Sequence, residues 1–264
     1  MARADVSAAR TFETLLRRAQ DDPNVLAFWL GGSRGMGRPT EHSDYDCFFI
    51  VDQVAYPAFQ AEFGLSGHHR MDWRPGIDLV ALTFPMFEAL APWTPEERGG
   101  RYAFAHLNAT IDKTGRTQPL IDAKACVPAN EVASFIHASL DHALNQAYRA
   151  LKCLRDGDPE AGQLEAAEGV APFLDAAFAL HGRRLRPYYK YLRWELETFP
   201  LDRLPFGADE LLLTLAATLT VDGGPALSRL LAQSHDAFRQ AGHGGAFDGW
   251  EGALAWILAG APAP

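Results

Sequence analysis

The feature of this sequence that most restricts its fold is a change of hydrophobic pattern close to Pro128. Before this point, short apolar runs of strand-forming residues are separated by glycines, prolines and polar turns. After it, apolar residues recur at helical spacing over long segments, such as NEVASFIHASLDHALNQAYRALKCLRDG (130–157). We therefore predict a domain of mixed strands and helices over residues 1–127 and an all-helical domain over residues 128–264.

Glycines, prolines and polar turns set the limits of the predicted elements. The predicted strands are VLAFWL (25–30), DYDCFFIVD (44–52), GIDLVALTF (76–84) and FAHLNATIDKTG (104–115). The predicted helices cover residues 6–20, 56–65, 130–157, 160–181, 188–197, 207–220, 224–241 and 246–259.

The charge balance limits the class of partner. The chain of 264 residues has 24 basic and 33 acidic residues, a net charge of −9. Proteins that bind a nucleic-acid backbone usually present basic stripes, so we expect no such binding here. The acidic excess favours a cationic or neutral small substrate, although solvated helix faces explain the same acids.

Cysteine usage and hydropathy indicate a reduced compartment. The cysteines Cys47, Cys126 and Cys153 are far apart and odd in number, which fits no disulfide framework. The N-terminal segment lacks the apolar region of a signal peptide, and no apolar run reaches the roughly 18 residues of a membrane span. We expect a cytoplasmic protein without membrane association.

Two aspartates interrupt an apolar strand at one-residue spacing. Side chains alternate along a strand, so Asp44 and Asp46 should point the same way, with Cα atoms roughly 6.6 Å apart. Carboxylates are rarely buried without a partner. A paired polar edge strand is one explanation, and a divalent cation held by hard oxygen ligands, such as Mg²⁺, is the other.

The neighbouring segments favour the metal. Gly31-Gly32-Ser33 follows the first predicted strand, where glycines allow backbone amides to approach a phosphate closely. Asp78 lies on the next predicted strand, and three clustered carboxylates would repel strongly without a cation. Together these parts indicate phosphoryl or nucleotidyl transfer. A polar edge strand explains each residue singly but not the set.

These residues form a pattern known from one superfamily. Gly-Gly-Ser, Asp-x-Asp beginning twelve positions after Gly32, and a later strand acid resemble the DNA polymerase β-like nucleotidyltransferases. The helical second half adds a resemblance to the two-domain antibiotic nucleotidyltransferases of the aminoglycoside and lincosamide types. The resemblance implies an α+β fold, in which a mixed sheet flanked by helices is followed by an all-α helical bundle.

The resemblance also implies roles for individual residues. Gly32 and Ser33 would hold the triphosphate of ATP or another nucleoside triphosphate, and Arg34 would also bind the nucleotide. Asp44 and Asp46 would bind magnesium, with two ions expected. Asp78 would be either a third metal ligand or the base for the acceptor hydroxyl, and the sequence leaves both roles open.

The helical half offers weaker candidates. Lys190, in the basic and aromatic segment GRRLRPYYKYLRWELE (182–197), could contact the triphosphate or simply be a surface residue of an amphipathic helix. Asp141 and Asp175, together with Glu131 and Glu168, could bind a cationic acceptor, or be solvated helix acids. The histidines predicted to be surface or helix-packing residues are His68, His69, His137, His142 and His181.

The leading functional prediction is a magnesium-dependent nucleotidyltransferase. It would move a nucleoside monophosphate, with AMP from ATP as first choice, to a hydroxyl of a small acceptor such as an aminoglycoside-like antibiotic. Two alternatives remain open. One is an AMP-transferring modifier of a protein, of the antitoxin or signalling type. The other is a catalytically idle nucleotide-binding module.

Overall fold

The computed structural model describes residues 2–259, and it divides between Cys126 and Val127 into two compact units. The first unit combines a sheet with helices, and the second is helical. The predicted α+β class is confirmed. Within the described residues, no helix combines the length and the apolar character that crossing a membrane requires.

The first unit contains five strands and several helices. The strands are β1 (Val25–Leu30), β2 (Tyr45–Val51), β3 (His69–Arg74), β4 (Ile77–Leu82) and β5 (Ile111–Asp112). The helices are α1 (Ala2–Asp21), α2 (Gly32–Gly35), α3 (Tyr56–Phe63), α4 (Phe84–Ala89) and α5 (Thr117–Lys124), with a 3₁₀ helix at Arg98–Phe104.

The strands form one mixed sheet in the order β3-β4-β2-β1-β5. Strand β2 runs parallel to β4, whereas the β1–β2, β1–β5 and β3–β4 pairs are antiparallel. The parallel pairing sets Asp46 opposite Asp78. The order places β2 in the centre of the sheet, with the turn after β1 at one side of it and β4 at the other.

Apolar side chains cover both faces of the sheet, which explains why β1 and β2 are almost wholly apolar. On one face, α1 and α3 pack against a buried cluster that includes Phe28, Cys47 and Phe49. On the other face, the Trp29 ring stacks on Phe48 at 5.1 Å. Because side chains alternate, Asp46 and Asp78 lie on the Phe48 face.

Three sequence predictions for the first unit were wrong or incomplete. The strand over 104–115 exists only at Ile111–Asp112, because Phe104 ends the 3₁₀ helix and Asp112 accepts hydrogen bonds from the first amides of α5. Strand β3 was not predicted, because it is an exposed edge strand with no apolar alternation. Helices α4 and α5, of six and eight residues, were also missed.

The second unit consists of helices. They are α6 (Val132–Arg155), α7 (Pro159–Leu180), α8 (Tyr189–Thr198), α9 (Ala208–Thr218), α10 (Gly224–Gln240), α11 (Gly245–Asp248) and α12 (Glu251–Ala259). Helices α6 and α7 pack along each other, and Asp158 caps α7 by accepting the Ala161 N–H at 3.1 Å. The single helix predicted over 246–259 is instead two helices, separated at residues 249–250.

Candidate active site

The structure brings the three predicted aspartates of the first unit together. Asp46 and Asp78 are partners in the parallel ladder, and Asp44 lies just before β2. One carboxylate oxygen from each residue lies within 4.8 Å of the others. The side chains differ in exposure, because Asp44 is exposed, Asp46 is half-buried and Asp78 is buried. Such a set of hard oxygen donors fits a divalent cation such as Mg²⁺.

Burial and like charge act on Asp78. Burial raises the pKa of this carboxyl, the Asp72 backbone N–H lowers the pKa in part, and the Asp44 and Asp72 carboxylates raise it further. The side chain is only 6% exposed, so water screens these charges weakly. A cation at the cluster would offset this accumulation of negative charge.

Cys47 is a neighbour of Asp46 in the sequence, but it takes no part in the site. Its side chain is fully buried on the opposite face of β2, within the cluster that packs on α1 and α3. Burial raises the pKa of the thiol, and the nearby Asp46 and Asp78 carboxylates raise it further. Cys47 is therefore a packing residue, and it offers no thiolate for catalysis.

The glycine turn after β1 is built closely against Asp46. Gly31 donates its backbone N–H to the Asp46 carbonyl at 2.8 Å. Gly32 has φ +53°, and a Cβ atom there would lie 3.1 Å from Cγ of Asp46 and overlap its Oδ2. Glycine is therefore required at residue 32 both by the backbone conformation and by the proximity of the carboxylate.

Ser33 and Arg34 hold the segment that leads into β2. The Ser33 hydroxyl donates to Ser43 Oγ at 2.7 Å. The Arg34 guanidinium donates to the backbone carbonyls of Ser43 and Asp44. These contacts lie beside the acidic cluster. The phosphate-binding roles of Gly32, Ser33 and Arg34 stay predictions.

Asp72 is a residue of the site that the sequence analysis missed. The β3–β4 register shifts between Arg70 and Arg74, and Asp72 lies in this irregular segment with φ +47°. Its backbone N–H donates to Asp78 Oδ1 at 2.6 Å, which fixes that side of the carboxylate. The Pro75-Gly76 turn was the available signal, since such a turn before a strand indicates a hairpin partner upstream.

Lys190 and Asp175 lie in the second unit, where each has a local partner. Lys190 is exposed on α8, with its Nζ 4.9 Å from the centre of the Tyr191 ring. Asp175 on α7 accepts a hydrogen bond from Arg186 Nε at 2.9 Å, and both side chains are half-buried. Asp175 is thus an ion-paired carboxylate, and its role toward an acceptor stays a prediction.

The remaining acidic candidates lie on or beside helices of the second unit. Asp141 on α6 accepts the Trp250 Nε1–H at 2.9 Å, which ties α6 to the segment between α11 and α12. Glu131 accepts from Asn130 Nδ2 at 3.0 Å just before α6 begins. Glu168 is exposed on α7. The substrate-binding roles of these residues stay predictions.

Comparison with known proteins gives little independent information. No family model matches the sequence, and no curated protein matches it. Among solved structures, a nucleotidyltransferase-like protein from Exiguobacterium sibiricum is 11% identical, with coverage of 94% of this chain and 88% of that chain and a TM-score of 0.37. At that identity and TM-score, we draw no conclusion from it about what this chain binds or does.

Proposed function

We propose that this chain is a Mg²⁺-dependent nucleotidyltransferase. It moves a nucleoside monophosphate, AMP from ATP as first choice, to a hydroxyl of a small acceptor and releases pyrophosphate. The observation that carries the proposal is the meeting of Asp44, Asp46 and Asp78, whose carboxylate oxygens lie within 4.8 Å of one another. A glycine turn packed against Asp46 accompanies them.

The donor set suits magnesium. Three carboxylates supply hard oxygen ligands, and the buried Asp78 gains most from a neutralising cation. Magnesium bound there, as one ion or two, would neutralise phosphate charge and lower the pKa of the acceptor hydroxyl. Metal binding at this cluster would therefore explain why a carboxylate is buried there despite the energetic cost.

The residues of the chain have separate tasks in this proposal. The backbone at Gly32 and Ser33 holds the triphosphate, because a glycine backbone allows phosphate oxygens to approach its amides closely. The acceptor oxygen forms a bond to the α-phosphorus while the bond to the pyrophosphate oxygen breaks. The proton of the hydroxyl passes to a carboxylate of the cluster. Asp78 is our candidate, and in that role Asp44 and Asp46 hold the metal.

The acceptor class is argued from the charge of the chain. The net charge of −9 favours an amine-rich, polyhydroxylated molecule of the aminoglycoside type. Asp141 and Asp175 would bind its amines, and Lys190 would contact the triphosphate. A role in antibiotic resistance and a cytoplasmic location complete the proposal.

A product screen tests the function. Full-length protein is incubated with Mg²⁺, each of the four ribonucleoside triphosphates and a panel of amine-rich sugars, and pyrophosphate and product mass are measured. We expect pyrophosphate only when an acceptor is present, and none from Asp46→Asn. A protein whose mass increases by one nucleoside monophosphate would indicate a protein modifier, and nucleotide binding without turnover with any acceptor would indicate an idle module.

A further inference from the structure

We propose that Arg34 is a positioning residue that holds Asp44 in the acidic cluster by donating to the backbone carbonyls of Ser43 and Asp44, which lie on either side of the Asp44 Cα. This proposal rests on the proposed function to the extent that the cluster binds a divalent cation. It replaces a direct contact between Arg34 and the nucleotide with a structural contact to the metal-binding segment.

Three hydrogen bonds of Arg34 point to one short stretch of backbone. Its Nε donates to the Ser43 carbonyl at 3.1 Å and to the Asp44 carbonyl at 3.0 Å. Its Nη2 donates to the Ser43 carbonyl at 2.8 Å. A planar guanidinium can serve two neighbouring carbonyls in this way, whereas a lysine ammonium is a point charge without this fork.

A stacking contact fixes the guanidinium from another direction. The Arg34 Cζ lies 3.9 Å from the centre of the Tyr45 ring. That ring is 9% exposed and stacks on Phe12 at 4.9 Å, so α1 holds it in place. Arg34 therefore connects a fixed aromatic side chain of the core to the two carbonyls.

Asp44 is the member of the cluster that needs this support. The β2–β4 ladder begins at Tyr45 and fixes Asp46 and Asp78, whereas Asp44 precedes it and is exposed. Ser33, next to Arg34 on α2, also binds this segment through Ser43 Oγ at 2.7 Å. Adjacent residues of α2 thus hold the same segment, and Arg34 reaches Asp44 itself.

The direction in which metal affinity changes when Arg34 is replaced distinguishes a positioning role from a purely electrostatic one. Arg34 is a cation near a proposed cation site, so its removal would strengthen metal binding if charge alone mattered. If Arg34 positions Asp44, its removal weakens metal binding, because one ligand becomes mobile. Loss of a residue that orients a metal ligand commonly lowers affinity by about 10- to 100-fold.

The test is a Mn²⁺ titration without nucleotide, in which electron paramagnetic resonance measures the binding of Mn²⁺. Wild type is expected to bind Mn²⁺, and Asp46→Asn to lose binding. Arg34→Gln and Arg34→Lys are both expected to weaken binding about tenfold or more. Arg74→Gln, which removes an exposed cation on β3, is the matched charge control, and its affinity should stay equal or rise. Thermal unfolding of each variant checks the fold. If Arg34→Gln fails to fold, the Mn²⁺ affinity of Arg34→Lys provides the test.

The outcomes separate this inference from the proposed function. Equal or tighter Mn²⁺ binding by the Arg34 variants overturns the positioning role and leaves the metal site standing. Absence of Mn²⁺ binding by wild type overturns both proposals. Triphosphate binding measured in a chelator is expected to be unchanged in Arg34→Gln. If Arg34→Gln loses triphosphate binding and Arg34→Lys retains it, Arg34 is a phosphate contact instead.

Discussion

Gly32 and Asp46 are packed so closely that a Cβ atom on the glycine would overlap the aspartate's Oδ2. Gly32→Ala therefore meets two penalties, the left-handed backbone at φ +53° and displacement of a proposed metal ligand. We expect a loss of about 1–2 kcal/mol in the free energy of unfolding from the backbone alone. We also expect loss of transfer activity, measured as pyrophosphate release.

Gly37 provides the matched control for this variant. It has φ +69°, but a Cβ atom there would have no neighbour within 4 Å. Gly37→Ala should show a similar backbone penalty in urea unfolding while it retains activity. Equal loss of activity in both variants would mean that contact with Asp46 is not what matters at residue 32.

Asp78→Asn is expected to stabilise the metal-free protein and to abolish transfer. Asp78 is buried, and its pKa is raised by burial and by the Asp44 and Asp72 carboxylates. A raised carboxyl pKa means that the free energy of unfolding falls as pH rises from the ordinary value of 3.8 through the folded pKa. This cost grows as the buried carboxyl ionises, and asparagine removes it while its side-chain oxygen still accepts the Asp72 amide.

Melting temperatures in a chelator at neutral pH check this expectation. The exposed Asp44→Asn should raise the melting temperature less, because water screens the charge of Asp44 better. A lower melting temperature for Asp78→Asn than for wild type would show that the carboxylate is held by a favourable contact even without metal.

The sequence was sufficient to predict the elements that follow simple patterns. Strands β1, β2 and β4 are short apolar runs with clear turns, and alternation along β2 placed Asp44 and Asp46 on one side. The long helices of the second unit follow from their periodicity. Strand β3 lacks such a pattern, because its residues are exposed at the sheet edge and its register is irregular around Asp72.

The backbone contacts of the site could not be predicted from the sequence, for a different reason. The hydrogen bond from Asp72 to Asp78 is donated by a main-chain N–H, which almost every residue type has, so the sequence does not predict it. Arg34 was visible as a cation beside the glycine turn, but the oxygens that it meets depend on how the loop returns to β2. Sequence patterns predicted which carboxylates lie together, whereas the groups that orient these carboxylates could be identified only from the structure.

Asp72→Gly and Asp72→Val should differ in stability. Asp72 has φ +47°, a conformation that glycine adopts freely and that a β-branched residue adopts at high cost. We expect Asp72→Gly to unfold at a urea concentration close to that of wild type, and Asp72→Val to lose about 1–2 kcal/mol. Both variants keep the N–H, so equal stability of the two would argue against the left-handed backbone at this residue.

His181 should make the stability of the protein depend on pH. Its ring is buried, with Nδ1 2.6 Å from the Ala177 carbonyl and Nε2 accepting the Arg203 N–H at 3.0 Å. These partners require the neutral ring with its proton on Nδ1. Burial is the main cause that lowers the pKa of His181, and Arg184 and Arg203 add to it, while the Ala177 bond and Asp202 oppose it.

The lowered pKa fixes the sign of the effect. The unfolded chain takes up a proton near the ordinary histidine value of 6.5, whereas folded His181 resists protonation. The stabilising contribution is therefore complete above pH 6.5 and is lost as pH falls through the unfolded value to the folded one. Urea unfolding between about pH 5 and about pH 7.5 should show a flatter profile for His181→Gln than for wild type. Parallel profiles for His181→Gln and wild type would exclude His181 as the titrating group.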